Sequence, residues 1–178
     1  MKSQFKETLR RPAKSAGDNS WGFVLLPKDV SAILPRRGRA TVNGTLNGHA
    51  FVATLEPDGQ LSHWLRVSMS LMRAAKVGIG EQVTVEIEPM DQEPEPDIPS
   101  DLQEALSSAP EAKAIWLATT TIARLDWVHW IESAKQTKTR KKRISNACDM
   151  LASGKKRVCC FDQSGYYSKA LSAPKEAD

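Results

Sequence analysis

A chain of 178 residues, 40% of them apolar and with a formal net charge of +4, can bury a core of its own, as one domain or two small modules, without a disulfide scaffold. Its longest apolar stretch, WGFVLL, is too short to cross a bilayer, and MKSQFKETLRRPAKSAG lacks the apolar run of a signal peptide, so a cytoplasmic protein with no membrane span is expected. Three cysteines (Cys148, Cys159, Cys160) and three scattered histidines (His49, His63, His129), with no CxxC or HxxxH, point to reduced thiols and to no metal or other cofactor.

In chain order, FKETL and WGFVLLP are two strand candidates separated by a polar loop. ATVNGTLNGHAFVATL then reads as two alternating runs joined by Asn47-Gly48, a pair suited to the positive φ angles of a type I′ hairpin. A two-residue loop sets the register: Leu46 opposite His49, Gly44 opposite Phe51, Val42 opposite Ala53 and Ala40 opposite Leu55, with the Phe51 ring over bare Gly44. After the turn EPDG, the run QLSHWLRV puts Leu61, His63, Leu65 and Val67 on one face and Trp64 on the other. SLMRAAKVGIG suggests a short helix stopped at Gly78 or Gly80, and EQVTVEIEP a strand with Val83, Val85 and Ile87 inward. Six short strands hide their edges best by closing into a barrel.

PMDQEPEPDIP has the composition of an extended, solvated connector. Beyond it, Ser100 with Gln103 forms a capping-box pattern, and Pro110 suits the first turn of a second helix. TTTIARLDWVHWIESA places Ala123, Trp127, Trp130, Ile131 and Ala134 on one helical stripe and His129 outside it. Thr137, Arg140, Ile144, Ala147, Cys148 and Leu151 form a stripe in a different phase, which predicts a break near Gln136 to Lys138.

The ordered set FKETL, WGFVLLPKDV, GRATVNGTLNGHAFVATLEPDG, LMRAAKVGIGEQVTVEIEP, IPSDLQEAL and WIESAKQTKTRKKRI resembles a bacterial family that joins a barrel domain of unknown function to a "bacteriocin-protection, YdeI or OmpD-associated" helical region. The resemblance implies an AbrB-like double-split β-barrel followed by helices. With the residue pattern, this gives an α+β chain: a six-stranded barrel over residues 1–90, a linker at 91–99, about four helices over 100–157 and a polar tail at 158–178 that has no counterpart in the family. The resemblance transfers no catalytic residues. Lys138 stands where relatives tend to be acidic.

From Glu81 to Glu111 the chain carries ten acids and no base, whereas Ala134 to Arg157 carries nine bases and one acid. Segments of opposite charge can neutralise each other, so the basic run alone is weak ground for nucleic-acid binding. The phase shift sorts the cations. Arg140 lies within the apolar stripe and needs an acid such as Asp126 or Glu132, or helix-end carbonyls. Lys138, Lys142, Lys155, Lys156 and Arg157 project outward as candidates for a polyanion or other partner. Trp64 and Val52 are the expected contact between the modules.

No nucleophile stands beside a base at catalytic spacing, and GxSxG, P-loop and GxGxxG are absent. The expectation is a non-enzymatic interaction or regulatory module for a protein or small-molecule partner, linked by resemblance to stress or bacteriocin protection. The alternative is a nucleic-acid binder using the barrel and the basic helix. Six strands in one chain can close alone, so a monomer is expected, with a dimer as the alternative. Cys159 and Cys160 follow KKR, an electropositive setting of the kind that lowers a thiol pKa, although a vicinal pair in a polar tail is more often incidental.

Overall fold

The computed structural model of the chain describes residues 2–13, 21–158 and 173–177. Two compact units divide between residues 92 and 93, and the described stretch 173–177 belongs with the first.

The first unit contains β1 (Ser3–Thr8), β2 (Trp21–Leu25), α1 (Lys28–Ala32), β3 (Ala40–Leu46), β4 (His49–Pro57), β5 (His63–Ser68), α2 (Met69–Ala75) and β6 (Gln82–Pro89). All pairings are antiparallel, in the order β1-β6-β3-β4-β5-β2. The sheet curls into a partial barrel, and just past β1 the main chains of Arg10 and Phe23 exchange two hydrogen bonds of 2.9 Å, bringing its outer strands together. Inside lie Phe5, Val42, Leu55, Leu65, Val85 and Ile87, supplied by the inward phase of each alternating strand. The stretch 173–177 rests on the same unit: Ala13 donates to Lys175 O, and Arg10 pairs with Glu176 at 2.6 Å.

The β3–β4 hairpin adopts the register its turn dictates. Asn47 and Gly48 have φ of 48° and 87°, and Ala40, Val42, Gly44 and Leu46 face Leu55, Ala53, Phe51 and His49. A Cβ at Gly44 would lie 2.5 Å from the Phe51 ring and 2.7 Å from Glu86 O, so the ring does fill the space above the glycine. Asn47 also stitches the turn to β6, donating its N–H to Thr84 O and accepting the Thr84 N–H on Oδ1, both at 2.8 Å.

Two local expectations change. Leu61 is not on β5: it is exposed, with φ of 68°, in a loop organised by Asp58, whose Oδ1 accepts the N–H groups of Gln60 and Ser62. Helix α2 ends before Gly78, because Lys76 itself adopts the left-handed conformation that closes it.

The second unit holds α3 (Ser100–Ser107), α4 (Pro110–Ala118), α5 (Thr121–Glu132) and α6 (Thr137–Ala152). Leu102, Leu106, Trp116, Trp127, Ile131 and Leu151 lie in its core. Pro110 opens α4 as its sequence position suggests, but Ser100 forms no capping box; Asp101 Oδ1 instead accepts the Leu102 N–H at 3.0 Å. The break between the last two helices spans Ser133 to Gln136, slightly earlier than the phase shift predicts. Among the described residues, no helix is long and apolar enough to cross a membrane.

His63 is wholly buried, and its hydrogen bonds define its tautomer. Nε2–H donates to Gly38 O at 2.8 Å, since a carbonyl can only accept, and Nδ1 therefore accepts the Ser31 hydroxyl at 2.7 Å. Burial pushes the imidazole pKa below its ordinary value of 6.5, and nearby Arg37 pushes it the same way. The folded protein thus keeps His63 neutral at a pH where the unfolded chain takes up a proton, so stability falls as pH drops below about 6.5. The unfolding free energy from urea titrations should decline from pH 7 to pH 5, by at most about 1.4 kcal/mol per pH unit from this group. A His63→Leu variant, though less stable at pH 7, should decline less steeply.

Candidate functional site

β4 pairs with β3 along almost its whole length, but it meets β5 only at Glu56↔Trp64 and Pro57↔His63. Beyond that junction the two strands part. The hairpin determines which main-chain groups are left over. The residue pair flanking a two-residue turn is hydrogen-bonded, and bonding alternates from there. His49, Phe51, Ala53 and Leu55 therefore bond to β3, while the N–H and C=O groups of Ala50, Val52 and Thr54 point towards the gap. Two bonds on the far side of β3 follow the same phase: Asn47 donates to Thr84 O, and Thr41 O accepts from Met90 N.

The gap is a groove of ≈ 590 Å³, bounded by β4 on one side and by β5 and α2 on the other. Val52, Thr54, Glu56, Arg66, Ser68 and Leu71 are among its lining. Val52 is 62% exposed, unusual for a valine on a strand. Most polar side chains of the lining are already engaged. Glu56 pairs with Arg39 at 2.8 Å, Thr54 shares a hydrogen bond with Thr41 at 2.9 Å, and Ser68 Oγ accepts the Leu71 N–H at 3.2 Å as the cap of α2. Arg66 differs: its guanidinium lies 4.3 Å from the centre of the Trp21 ring, a cation–π contact, and among the described residues it has no acid partner.

Trp64 does not present the open outer side expected of it. The β2–β5 register sets Trp21, Phe23, Trp64 and Arg66 on one face, and the Trp21 and Phe23 rings each lie 6.3 Å from the Trp64 ring, which is 9% exposed. Val52 is exposed, and Trp64 packs against aromatic rings of its own unit.

In the helical unit Arg140 meets an acid, but the principal one is Asp101, at the start of α3. Nε and Nη2 reach the two carboxylate oxygens at 2.7 and 3.1 Å, a bidentate geometry. This bond holds the Asp101 carboxyl below the usual carboxylate range, and Glu132 adds a smaller pull on the guanidinium. Asp126 lies elsewhere, buried on α5. The Arg140 and Asp101 side chains are 29% and 46% exposed, so solvent screening leaves the pair a modest stabiliser.

Two other arginines do more for the helical frame. Arg124 donates from Nη1 to Trp116 O at 3.0 Å and Thr119 O at 2.6 Å, closing the end of α4, and its Nε and Nη2 grip Glu95 in the linker. The linker is thus fastened at Glu95, which also accepts from Thr121 Oγ1 at 2.9 Å, and is not simply solvated. Arg143 donates to Trp130 O at 2.6 Å and to Ser133 Oγ at 3.0 Å, with its guanidinium 5.4 Å from the Trp130 ring centre. The sequence pattern does not single out Arg124 or Arg143, because their partners are carbonyls at helix ends, which leave no mark on residue type.

The five outward cations are exposed but do not form one patch. Lys138 and Lys142 share the first turns of α6, whereas Lys155, Lys156 and Arg157 follow its C-terminal end. At 1.5 Å rise per residue, about 15 Å of helix lies between Lys142 and the end of α6 at Ala152. Lys156 is anchored by its main chain, since its carbonyl accepts from Thr119 Oγ1 at 2.8 Å and Trp127 Nε1 at 3.2 Å.

His49 is exposed beside its turn, and His129, expected on an outer face, is instead 3% exposed. Cys148 is half-buried, and burial raises its thiol pKa; Cys159 and Cys160 lie outside the described residues. Among the described residues, no cluster of three or more His, Cys, Asp or Glu could hold a metal.

Comparison with known families matches this division. Residues 5–87 match the family model of a domain of unknown function (DUF1905), and residues 95–154 match that described as bacteriocin-protection, YdeI or OmpD-associated. The chain thus carries a DUF1905 region followed by an OmpD-associated region, the order that the sequence resemblance implied. No curated protein matches it. The groove lies within the DUF1905 region, and the arginine anchors lie within the OmpD-associated region, whose match begins at Glu95 itself.

Removing the two carbonyl bonds of Arg124 should destabilise the OmpD-associated region more than breaking the exposed pair at Asp101. Arg124→Ala should cost about 2–3 kcal/mol in urea unfolding and Asp101→Ala about 1 kcal/mol or less. Equal losses would contradict this ranking.

Proposed function

We propose that the protein is a cytoplasmic interaction module that engages a partner in the groove between β4 and β5, without transforming it. The observation that carries the reading is the groove's make-up: an exposed valine beside main-chain groups not used by β3, with the Glu56, Thr54 and Ser68 side chains already committed to internal partners. Such a surface offers adhesion and shape rather than an acid, a base or a nucleophile. The family description, bacteriocin protection, fits a role exerted by holding a partner. Of the two residues first assigned to a contact, Val52 carries this reading and Trp64 supports the wall behind it.

A second reading rests on the exposed cations Lys138, Lys142, Lys155, Lys156 and Arg157, which could neutralise phosphates of a nucleic acid. The AbrB-like likeness implied for the barrel belongs to this reading.

One experiment separates the two. A photo-crosslinking amino acid is placed at Val52 or, as a control, at Leu117, which is 69% exposed on α4. In native cytosol, discrete adducts should form from position 52, be absent from position 117 and survive nuclease. Adducts that vanish with nuclease favour the polyanion reading. Absence of adducts at position 52, or equal labelling from both positions, contradicts the groove reading.

A further inference from the structure

The groove's geometry allows its occupant to be specified by chemistry, on the assumption that the groove is the contact surface. We infer that it takes an extended, acid-bearing peptide segment of the partner, added as a strand along the free edge of β4. Ala50, Val52 and Thr54 are exposed, and the hairpin phase aims their N–H and C=O groups into the gap. Among the described residues, none hydrogen-bonds to these groups. An open edge of this kind is completed by another polypeptide main chain, because only a strand repeats donors and acceptors at the same interval.

The opposite wall follows the same logic. Glu56 opposite Trp64 gives the phase in which Trp64, Arg66 and Ser68 turn their main chains towards β4, while His63 turns away and its carbonyl accepts from Leu26 N at 3.0 Å. Arg66 and Ser68 line the groove beside Leu71 and Ala74 of α2. The slot therefore has two walls and admits a single strand. About five residues at 3.3 Å each span Ala50 to Thr54.

Charge selects among extended peptides. Glu56 is neutralised by Arg39, whereas among the described residues Arg66 meets the Trp21 face and no acid, so their share of the slot carries one surplus positive charge. A carboxylate on the added strand near Arg66 compensates that charge. Alternate residues of the strand turn towards Leu71 and Ala74, where small or β-branched apolar side chains fit.

The test uses the full chain and a nine-residue synthetic peptide of alternating Val and Ser with a central Asp, measured by fluorescence anisotropy. Three comparators accompany it: a central Lys in place of Asp, and N-methylation of either alternate set of peptide nitrogens. The Asp peptide should bind better than the Lys peptide, and one phase of N-methylation should weaken binding at least about tenfold, since several main-chain bonds are lost. Val52→Pro removes one edge N–H without touching the bonds to β3 and should weaken binding about three- to tenfold. Arg66→Glu should reverse the preference between Asp and Lys. If Val52→Pro does not fold, the N-methylated peptides on the wild-type protein decide the matter alone. Affinity unchanged by either phase of N-methylation, or no binding by the Asp peptide at millimolar concentration, overturns strand addition. Adducts at position 52 in cytosol would then still uphold the groove as a contact surface for some other shape of partner.

Discussion

The Asn47–Gly48 turn is the constraint from which most of the first unit follows. Its two positive φ angles close β3 on β4 with no slack, and a two-residue loop permits only one hydrogen-bonding phase. That phase places Phe51 over Gly44 and sends Val42, Leu46 and Leu55 into the core. It also decides which half of β4's main chain is left unpaired by β3. A one-residue slip would reverse every side chain and bury the edge groups against β3. Core and groove are thus two consequences of one register, so selection for the core maintains the groove's geometry as well.

Strand order turns this edge into a slot. β5 joins β4 for two residues and then follows β2, while α2, capped by Ser68 at the end of β5, supplies the far wall. The buried Ser31–His63–Gly38 network holds the base of β5 in place. The helical unit is organised differently, by arginines reaching carbonyls where helices end. Arg124 joins the linker, α4 and α5, and Arg143 closes the turn after α5. Both contribute more through directional bonds to partly buried acceptors than Arg140 does through its exposed ion pair.

Features written in local sequence were legible. The Asn-Gly turn, the alternating strands, Pro110 at a helix start and the phase break after α5 each rest on neighbours close in the chain. Features that require two distant segments to meet were not. Nothing near Trp64 announces that Trp21 and Phe23 will cover it, and nothing near Arg140 names Asp101, 39 residues away. The outward cations Lys138, Lys142, Lys155, Lys156 and Arg157 form one set in the sequence, yet the length of α6 separates its two ends. The groove escaped notice for a related reason: a missing strand partner is a property of sheet order, not of the strands themselves.

Amide hydrogen exchange along β4 tests the central claim most directly. If the turn fixes the phase and β5 departs after Glu56, the Ala50, Val52 and Thr54 amides should exchange quickly, and those of Phe51, Ala53 and Leu55 slowly, in strict alternation. Uniform protection from residue 50 to residue 55 would mean that the edge is already paired, and would contradict the account.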